Sequence, residues 1–281
     1  MRPADTIAQL LFSLGLNSAA AVSFRNRLVN GGLAVNQRGA PNSPTVYEPG
    51  AFIRDRWRAG PTGCTAACAT GPNGDTTLHI GAGSILQLIE GGFYLPEGGS
   101  YCLSWQGTAV GRVIAPDKFV DFAAGPVVVS GLRPGSDALV EFSLPPQAAP
   151  VSLRCAQLEP GSTPTVFERR DDELRRCRRY FIRLIEPPLR GVICGSVAGR
   201  CGMPLPVQMR AVPSASLSGA LQVFDGTDIA AAESIAANYG TADWLEVDLQ
   251  LVSPLNIGRP AVIFVSGQKG TIDLDAELQI V

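Results

Sequence analysis

Short apolar runs broken by turn residues fill this sequence, and they constrain its fold more than any other feature. About ten such runs lie between residues 30 and 168, each bounded by Gly, Pro, Asn, Asp or Ser. The 31 glycines and 22 prolines are spread along the chain, as many tight turns require. The pattern predicts an all-β fold, with a two-sheet jelly-roll sandwich over residues 30–170.

A second series of strand-like runs follows over residues 171–281. The segment "VFDGTDI" places Asp225–Gly226 between two runs, which is a hairpin signal. The segment "TIDLDAELQIV" alternates to its last residue and predicts a strand within a sheet, with one apolar face formed by Ile272, Leu274, Ala276, Leu278 and Ile280. We predict that residues 171–281 form a second, smaller and separate C-terminal β-sandwich domain.

A charged segment at residues 168–179, with six arginines and four acids, joins the two predicted domains and overlaps the run "DDELRRCRRYF" at 171–181. Leu174, Cys177 and Phe181 recur at helical spacing, and the acids precede the arginines, an order that suits the helix dipole. This predicts a short connecting helix with one apolar edge and with solvated or paired arginines.

The first 29 residues have helical rather than strand-like spacing. Ile7, Leu10, Leu11 and Leu14 recur on one helical face, with Asp5 placed to cap it. We predict a short helical arm over residues 1–29 that anchors the chain to a partner; the alternative is a helix folded back on its own domain. The segment lacks a signal-peptide pattern, and no apolar run is long enough to span a bilayer, so we expect cytoplasmic synthesis and no membrane insertion.

Charge argues against one class of partner, and cysteine content indicates the redox compartment. The formal net charge of −2 argues against a general nucleic-acid binder, which needs a basic surface. The seven cysteines are odd in number and sit mostly in apolar runs, so we expect buried free thiols in a reducing compartment.

Two motifs resemble a known family. "LVNGGLAVNQRG" at 28–39, with "DRW" at 55–57, resembles the opening N-G-x-F…W-Q-R-G pattern of jelly-roll modules in phage tail fibres and related particle proteins. "QLEPGSTPTVFERR" at 157–170, followed by "CRRY" at 177–180, resembles their closing signature. Together the motifs cover the chain from about residue 28 to 181.

The resemblance also has departures. Leu33 and Asn36 replace the usual aromatics of the opening motif, and Arg178 replaces the usual Gln of C-Q-R-Y. The fold expectation stands, but ligand contacts made by the missing aromatics do not carry over.

The resemblance implies a function. Such modules look like carbohydrate-binding modules, so we expect a non-enzymatic spike or fibre subunit on the surface of a phage-like particle, such as a gene transfer agent head spike. It would attach the particle to bacterial surface polysaccharide, either capsule or lipopolysaccharide. The expected partners are capsid or tail-fibre proteins, held through the N-terminal arm, and further copies in a trimer or pentamer. The alternative is a purely structural adaptor or fibre-base protein without glycan binding.

Catalytic and metal-binding patterns are sparse in the sequence. The single histidine, His79, lies in an alternating run and is expected to be structural, and no nucleophile elbow or metal-ligand set is present. "CTAAC" at 64–68 allows zinc, but free thiols are favoured. "GPNGD" at 71–75 and "FDGTD" at 224–228 offer oxygens to calcium but are interpreted first as turns. We therefore expect no enzyme activity, metal or cofactor.

Glycan binding needs exposed aromatic faces and nearby polar groups. Two turn-rich segments, "EGGFYLPEGG" and "NYGTADWLE", supply both, although ordinary turn aromatics are the alternative at each position. The predicted glycan-binding residues are the aromatics Phe93, Tyr94, Tyr239 and Trp244, with Glu97 and Asp243 as hydroxyl acceptors. Trp57 and Trp105 lie inside apolar runs and are expected in the core.

Overall fold

The computed structural model describes residues 24–72, 75–145, 150–185, 189–219, 221–264 and 270–279. These residues form strands joined by turns, with helix confined to two short segments, so the predicted all-β class is confirmed. Contacts divide the chain into two compact units, the first running up to Glu173 and the second spanning Leu174–Gln279. None of the described helices is long and apolar enough to cross a bilayer.

The first unit contains strands β1 to β10 and helix α1. In chain order these are β1 (Thr45–Tyr47), β2 (Phe52–Arg54), β3 (Trp57–Thr70), β4 (Thr76–Ile89), α1 (Gly91–Tyr94), β5 (Gly99–Gly107), β6 (Val110–Ala115), β7 (Lys118–Ala123), β8 (Val127–Leu132), β9 (Ala138–Ser143) and β10 (Val151–Pro160). Hydrogen bonds join them in the order β7-β6-β9-β4-β10-β5-β8, and β3 pairs with β1, β2 and β4.

Strand β4 changes partner along its length. Its residues 78–80 pair with β10, whereas residues 84–89 pair with β9. Gly83 lies between these segments with φ +70, and an added Cβ would come within 2.1 Å of the Gly63 carbonyl oxygen, so glycine is required there. All ten strands belong to one sheet, in which β5 and β9 are not neighbours. Trp105 on β5 nevertheless lies with its ring centroid 5.1 Å from that of Phe142 on β9, so the sheet curves enough to bring these two strands face to face.

The opening motif fixes the core tryptophan. Trp57 is fully buried, its ring lies 5.9 Å from Phe142, and its Nε1 donates to the carbonyl oxygen of Asn30 at 2.8 Å. The Asn30 amide donates in turn to the carbonyl oxygens of Val35 and Asp55 at 2.9 and 3.0 Å. The residues that carry the family resemblance in this segment therefore form a buried hydrogen-bond network.

The predicted N-terminal arm divides into two parts. Residues 1–23 lie outside the described residues. Residues 24–29 were also predicted to belong to the helical arm, but they form no helix and pack within the first unit, where Leu28 and Val29 are buried. The backbone of Val29 exchanges two hydrogen bonds with the Gln87 side chain, both at 2.8 Å.

The charged segment forms helix α2 (Glu173–Arg178), which lies at the division between the units. One acid before the helix and one at its first position accept hydrogen bonds from backbone N–H groups of residues 24–30. Glu168 accepts hydrogen bonds from the backbone of Phe24 at 3.1 Å and of Asn26 at 2.7 Å, and Glu173 accepts one from the backbone of Asn30. The acids of the charged segment therefore hold the chain's first described residues in place.

The apolar edge predicted for α2 is only partly present. Cys177 is buried, but Leu174 is 41% exposed. The expectation of paired arginines holds at Arg170, whose side chain is largely buried and binds the two carboxylate oxygens of Asp172, each at 2.9 Å.

The second unit contains strands β11 to β19. They are β11 (Phe181–Leu184), β12 (Arg190–Gly195), β13 (Ala198–Pro204), β14 (Ser214–Ser218), β15 (Leu221–Phe224), β16 (Ile229–Gly240), β17 (Trp244–Leu251), β18 (Pro260–Phe264) and β19 (Thr271–Asp275). The predicted hairpin is present, since Phe224 on β15 pairs with Ile229 on β16. The predicted C-terminal strand is β19, which buries Ile272 and Leu274 and pairs with both β11 and β14.

The prediction of a second β-sandwich is wrong. Six strands close into a barrel in the order β12-β13-β17-β16-β15-β18, and β11-β19-β14 form a separate three-stranded sheet. Closure depends on the pairing of β12 with β18, for example Gly191 with Ala261. Alternation of apolar and polar residues is the same in a sandwich and in a barrel, so the sequence pattern does not distinguish them.

Candidate functional site: a groove on the first unit

The candidate site lies where strands β4, β10 and β5 run side by side. A groove of about 570 Å³ is lined by Trp105, Phe167 and by polar side chains, among them Asp75, Ser104, Gln106, Arg154, Thr165 and Arg169. A second groove of about 590 Å³ adjoins it, shares Asp75 and Arg154, and is also lined by Thr77, His79 and Ser152. We call these two the principal groove and the side groove. Each volume falls in the range of small-ligand sites.

A β-bulge shapes the floor of the principal groove. Arg154 on β10 pairs with Gln106 on β5, but the next pair is Gln157 with Ser104, so two residues of β10 face Trp105 alone. Cys155, within the bulge, has φ +52, a left-handed conformation that non-glycine residues adopt rarely. Because the bulge breaks the strand's alternation, Arg154 and Cys155 both line the groove.

The wall of the groove is the turn at 164–167, which two buried polar side chains hold in place. Glu159 accepts hydrogen bonds from the Thr165 backbone N–H at 2.7 Å and from its hydroxyl at 2.6 Å. Gln157 donates to Glu159 at 2.9 Å and accepts from the backbone N–H of Glu168 at 2.8 Å. The Q-L-E part of the closing motif therefore positions the wall that carries Phe167.

Aromatic surface enters the groove from both sides. Trp105 is half-buried, and its Nε1 donates to the Ala109 carbonyl oxygen at 2.9 Å. Phe167 is also half-buried, and its ring lies so near Gly32 that a Cβ there would be 3.8 Å from the ring. Trp105 was predicted to lie in the core; its contact with Phe142 agrees with that prediction, but the residue also lines the groove.

One ion pair crosses the groove. Arg169 Nη1 lies 2.6 Å from Asp75 Oδ1, and this hydrogen-bonded guanidinium holds the pKa of the Asp75 carboxyl below its usual value. Burial raises the pKa of the neighbouring Cys155 thiol, so the cysteine is a neutral lining group. His79 is exposed in the side groove, where sequence analysis had expected a structural side chain.

The first three predicted glycan-binding residues lie at and just after helix α1 in the first unit. Phe93 is 55% exposed and stacks edge-to-face on Tyr94 with ring centroids 4.9 Å apart. Tyr94 itself is buried, so little of its ring is left for a ligand. The Glu97 carboxylate is ion-paired with Arg27, and so it already has a partner.

The other three predicted residues lie in the second unit. Tyr239 is in β16, where it pairs with Glu246 on β17. Asp243 accepts a hydrogen bond from the Thr241 hydroxyl in the adjoining turn. Trp244 is 41% exposed and packs so closely over Gly202 that a Cβ there would lie 2.9 Å from the indole. None of the six predicted residues lines the principal or the side groove.

In two of the segments considered for metal binding, the candidate ligand side chains have other roles. Cys64 and Cys68 are buried free thiols on strand β3, and burial raises the pKa of Cys64 to about 12, which disfavours a zinc-binding thiolate. In "FDGTD", the Asp225 carboxylate accepts backbone hydrogen bonds from Thr227, Asp228 and Asn256 at 2.7–3.0 Å. These donors lower the pKa of the Asp225 carboxyl. Because they occupy the carboxylate oxygens, a cation placed there would face N–H groups. Among the described residues no cluster of three metal-ligating side chains occurs.

Comparisons with known proteins do not assign the chain to a family. No protein-family profile matches the chain, and no curated protein matches it. Among solved structures it is similar to the N-terminal CBM22-1–CBM22-2 tandem domain of Paenibacillus barcinonensis Xyn10C, with 11% identity and a TM-score of 0.29, over 85% of this chain and 98% of that one.

A second solved structure is a cycloisomaltooligosaccharide glucanotransferase from Paenibacillus sp., complexed with cycloisomaltoheptaose. The identity is 9% and the TM-score 0.25, over 95% of this chain and 50% of that one, so the chain spans half the length of the enzyme. TM-scores this low support no argument about function. The function proposed below is therefore argued from the chain's own residues.

Proposed function

We propose that the chain is a carbohydrate-binding protein and that the principal groove is its binding surface. The observation that carries the proposal is the composition of the groove, in which two partly exposed aromatic rings accompany hydroxyl, amide and guanidinium groups. Aromatic faces suit the apolar side of a sugar ring, and directional polar groups suit its hydroxyls. This surface replaces the α1 and β16–β17 turns as the favoured location.

The proposal extends to a biological setting. The opening and closing motifs resemble those of phage tail-fibre and head-spike modules, and we propose that the chain attaches a phage-like particle, such as a gene transfer agent, to capsule or lipopolysaccharide. Its proposed partners are capsid or tail-fibre proteins, bound through residues 1–23, and further copies in a trimer or pentamer.

The proposed role is binding without catalysis. A glycosidase needs two carboxylates placed on either side of the scissile bond. Asp75 is the carboxylate that lines the principal groove, and Arg169 pairs with it, so no second acid stands opposite it among the lining residues. Release of reducing ends from a bound polysaccharide would contradict this part of the proposal.

Attachment to cells tests the proposed function. Purified protein is expected to sediment with encapsulated bacteria and to remain in the supernatant with isogenic cells that lack capsule. The control is the same protein after heat denaturation, which separates specific binding from adhesion of exposed apolar surface. Equal sedimentation with both strains, or sedimentation with neither, would favour the structural adaptor and contradict capsule recognition.

A further inference from the structure

The residues that line the two grooves carry more positive than negative charge. Their lining residues include two guanidinium groups, those of Arg154 and Arg169, and one carboxylate, that of Asp75. Because Arg169 is paired with Asp75 at 2.6 Å, the positive charge left over is that of Arg154. This local excess occurs in a chain whose formal net charge is −2, so it is not a consequence of a basic surface in general.

Arg154 is exposed between the principal and side grooves and lines both. Although its charge helps to lower the pKa of the nearby Asp75 carboxyl, the Arg154 side chain makes no hydrogen bond or salt bridge with any residue in the part of the chain that the structure describes. Its neighbour across the strands is Gln106, and the bulge that begins after Arg154 includes the strained Cys155. Backbone strain of this kind is commonly retained at binding sites.

We propose that the groove selects polysaccharides bearing hexuronate carboxylates, and that Arg154 binds the carboxylate. This inference rests on the proposed carbohydrate-binding function and adds the substrate class. A guanidinium presents paired N–H donors that match the two oxygens of a carboxylate. Gln106, directly opposite in the register, offers an amide to a hydroxyl of the same sugar or of its neighbour.

Binding to matched polysaccharides tests the charge requirement. The probes are hyaluronan, alginate and N-acetylheparosan, each also in a carboxyl-reduced form that keeps the linkage and loses the charge, together with dextran and dextran sulfate. We expect at least one hexuronan to bind, its reduced form to bind about tenfold more weakly, and the affinity to fall as salt rises from about 0.1 M to about 1 M.

Two substitutions are expected to act in opposite directions. Arg154→Gln removes the unpaired guanidinium and is expected to weaken binding to the hexuronan about tenfold. Asp75→Asn frees Arg169 from its partner and is expected to strengthen binding several-fold, because it removes a negative charge from the groove. Arg133→Gln is the matched control, since Arg133 is an exposed arginine of the same unit that pairs with Asp117 and is expected to change nothing.

The outcomes distinguish this inference from the proposed function. Equal affinity for a hexuronan and its reduced form, or an Arg154→Gln variant that binds as the wild type does, would overturn the carboxylate assignment and leave glycan binding standing. Dextran sulfate bound as tightly as the hexuronans would overturn it in favour of general anion binding. Failure to bind any hexuronan or dextran, together with no sedimentation on encapsulated cells, would contradict the proposed function itself.

Discussion

Replacing Trp57 with Ala is expected to lower the free energy of unfolding of the first unit by about 4 kcal/mol. The indole is fully buried against Phe142, and its N–H satisfies the carbonyl oxygen of Asn30 within the opening motif. The substitution therefore leaves a large cavity and removes one of the two hydrogen bonds that the Asn30 carbonyl oxygen accepts, the other coming from the Leu33 backbone N–H at 2.9 Å. For a domain of this size the melting temperature is expected to fall by about 10 °C.

Denaturant unfolding followed by far-ultraviolet circular dichroism measures this effect without relying on tryptophan emission. Trp244→Ala is the matched control, because that indole is 41% exposed, and its loss is expected to cost about 1 kcal/mol or less. A Trp57→Ala protein as stable as the Trp244→Ala protein would show that the opening motif does not anchor the core.

Glu159→Ala is expected to destabilise the first unit by about 3 kcal/mol. The carboxylate is buried and accepts hydrogen bonds from the backbone and hydroxyl of Thr165 and from the Gln157 amide. Alanine leaves these donors without their acceptor and releases the turn that carries Phe167. The free energy of unfolding and the affinity for polysaccharide are expected to fall together.

Asp117→Ala is the control for this substitution. Asp117 pairs with Arg133, whose side chain is 69% exposed, and exposed ion pairs contribute about 1 kcal/mol or less. If Glu159→Ala and Asp117→Ala lower stability equally, or if Glu159→Ala leaves the affinity unchanged, the closing motif does not hold the groove wall.

Strand content was predictable because alternation reports directly on burial. The run "TIDLDAELQIV" gave its buried face correctly at Ile272 and Leu274, and Asp225–Gly226 gave the β15–β16 hairpin. The barrel was not predictable, since its closure depends on which distant strands share hydrogen bonds. Local patterns contain no information about that pairing.

The groove was missed for a related reason. Its floor depends on a bulge at Cys155, and its wall depends on contacts between the turn at 164–167 and the buried Glu159. The predicted site residues were instead exposed aromatics in glycine-rich turns, because such turns can be recognised from the sequence without knowing the fold. A usable signal was present in "VSLRCAQLE", where Gln157 and Glu159 interrupt an apolar strand. Buried polar residues in such a run need specific partners, and those partners form the site.

Polysaccharide binding by groove and turn variants shows whether the principal groove is the binding surface. The measurement is the affinity of the wild type, Phe167→Leu, Gln106→Ala and Trp244→Leu for an array of bacterial capsular polysaccharides and lipopolysaccharides. Leucine keeps an apolar side chain at position 167 of the groove lining while removing the flat ring. We predict that both groove variants lose about tenfold in affinity and that Trp244→Leu binds as the wild type does. Lost binding in Trp244→Leu with normal binding in both groove variants would contradict the account.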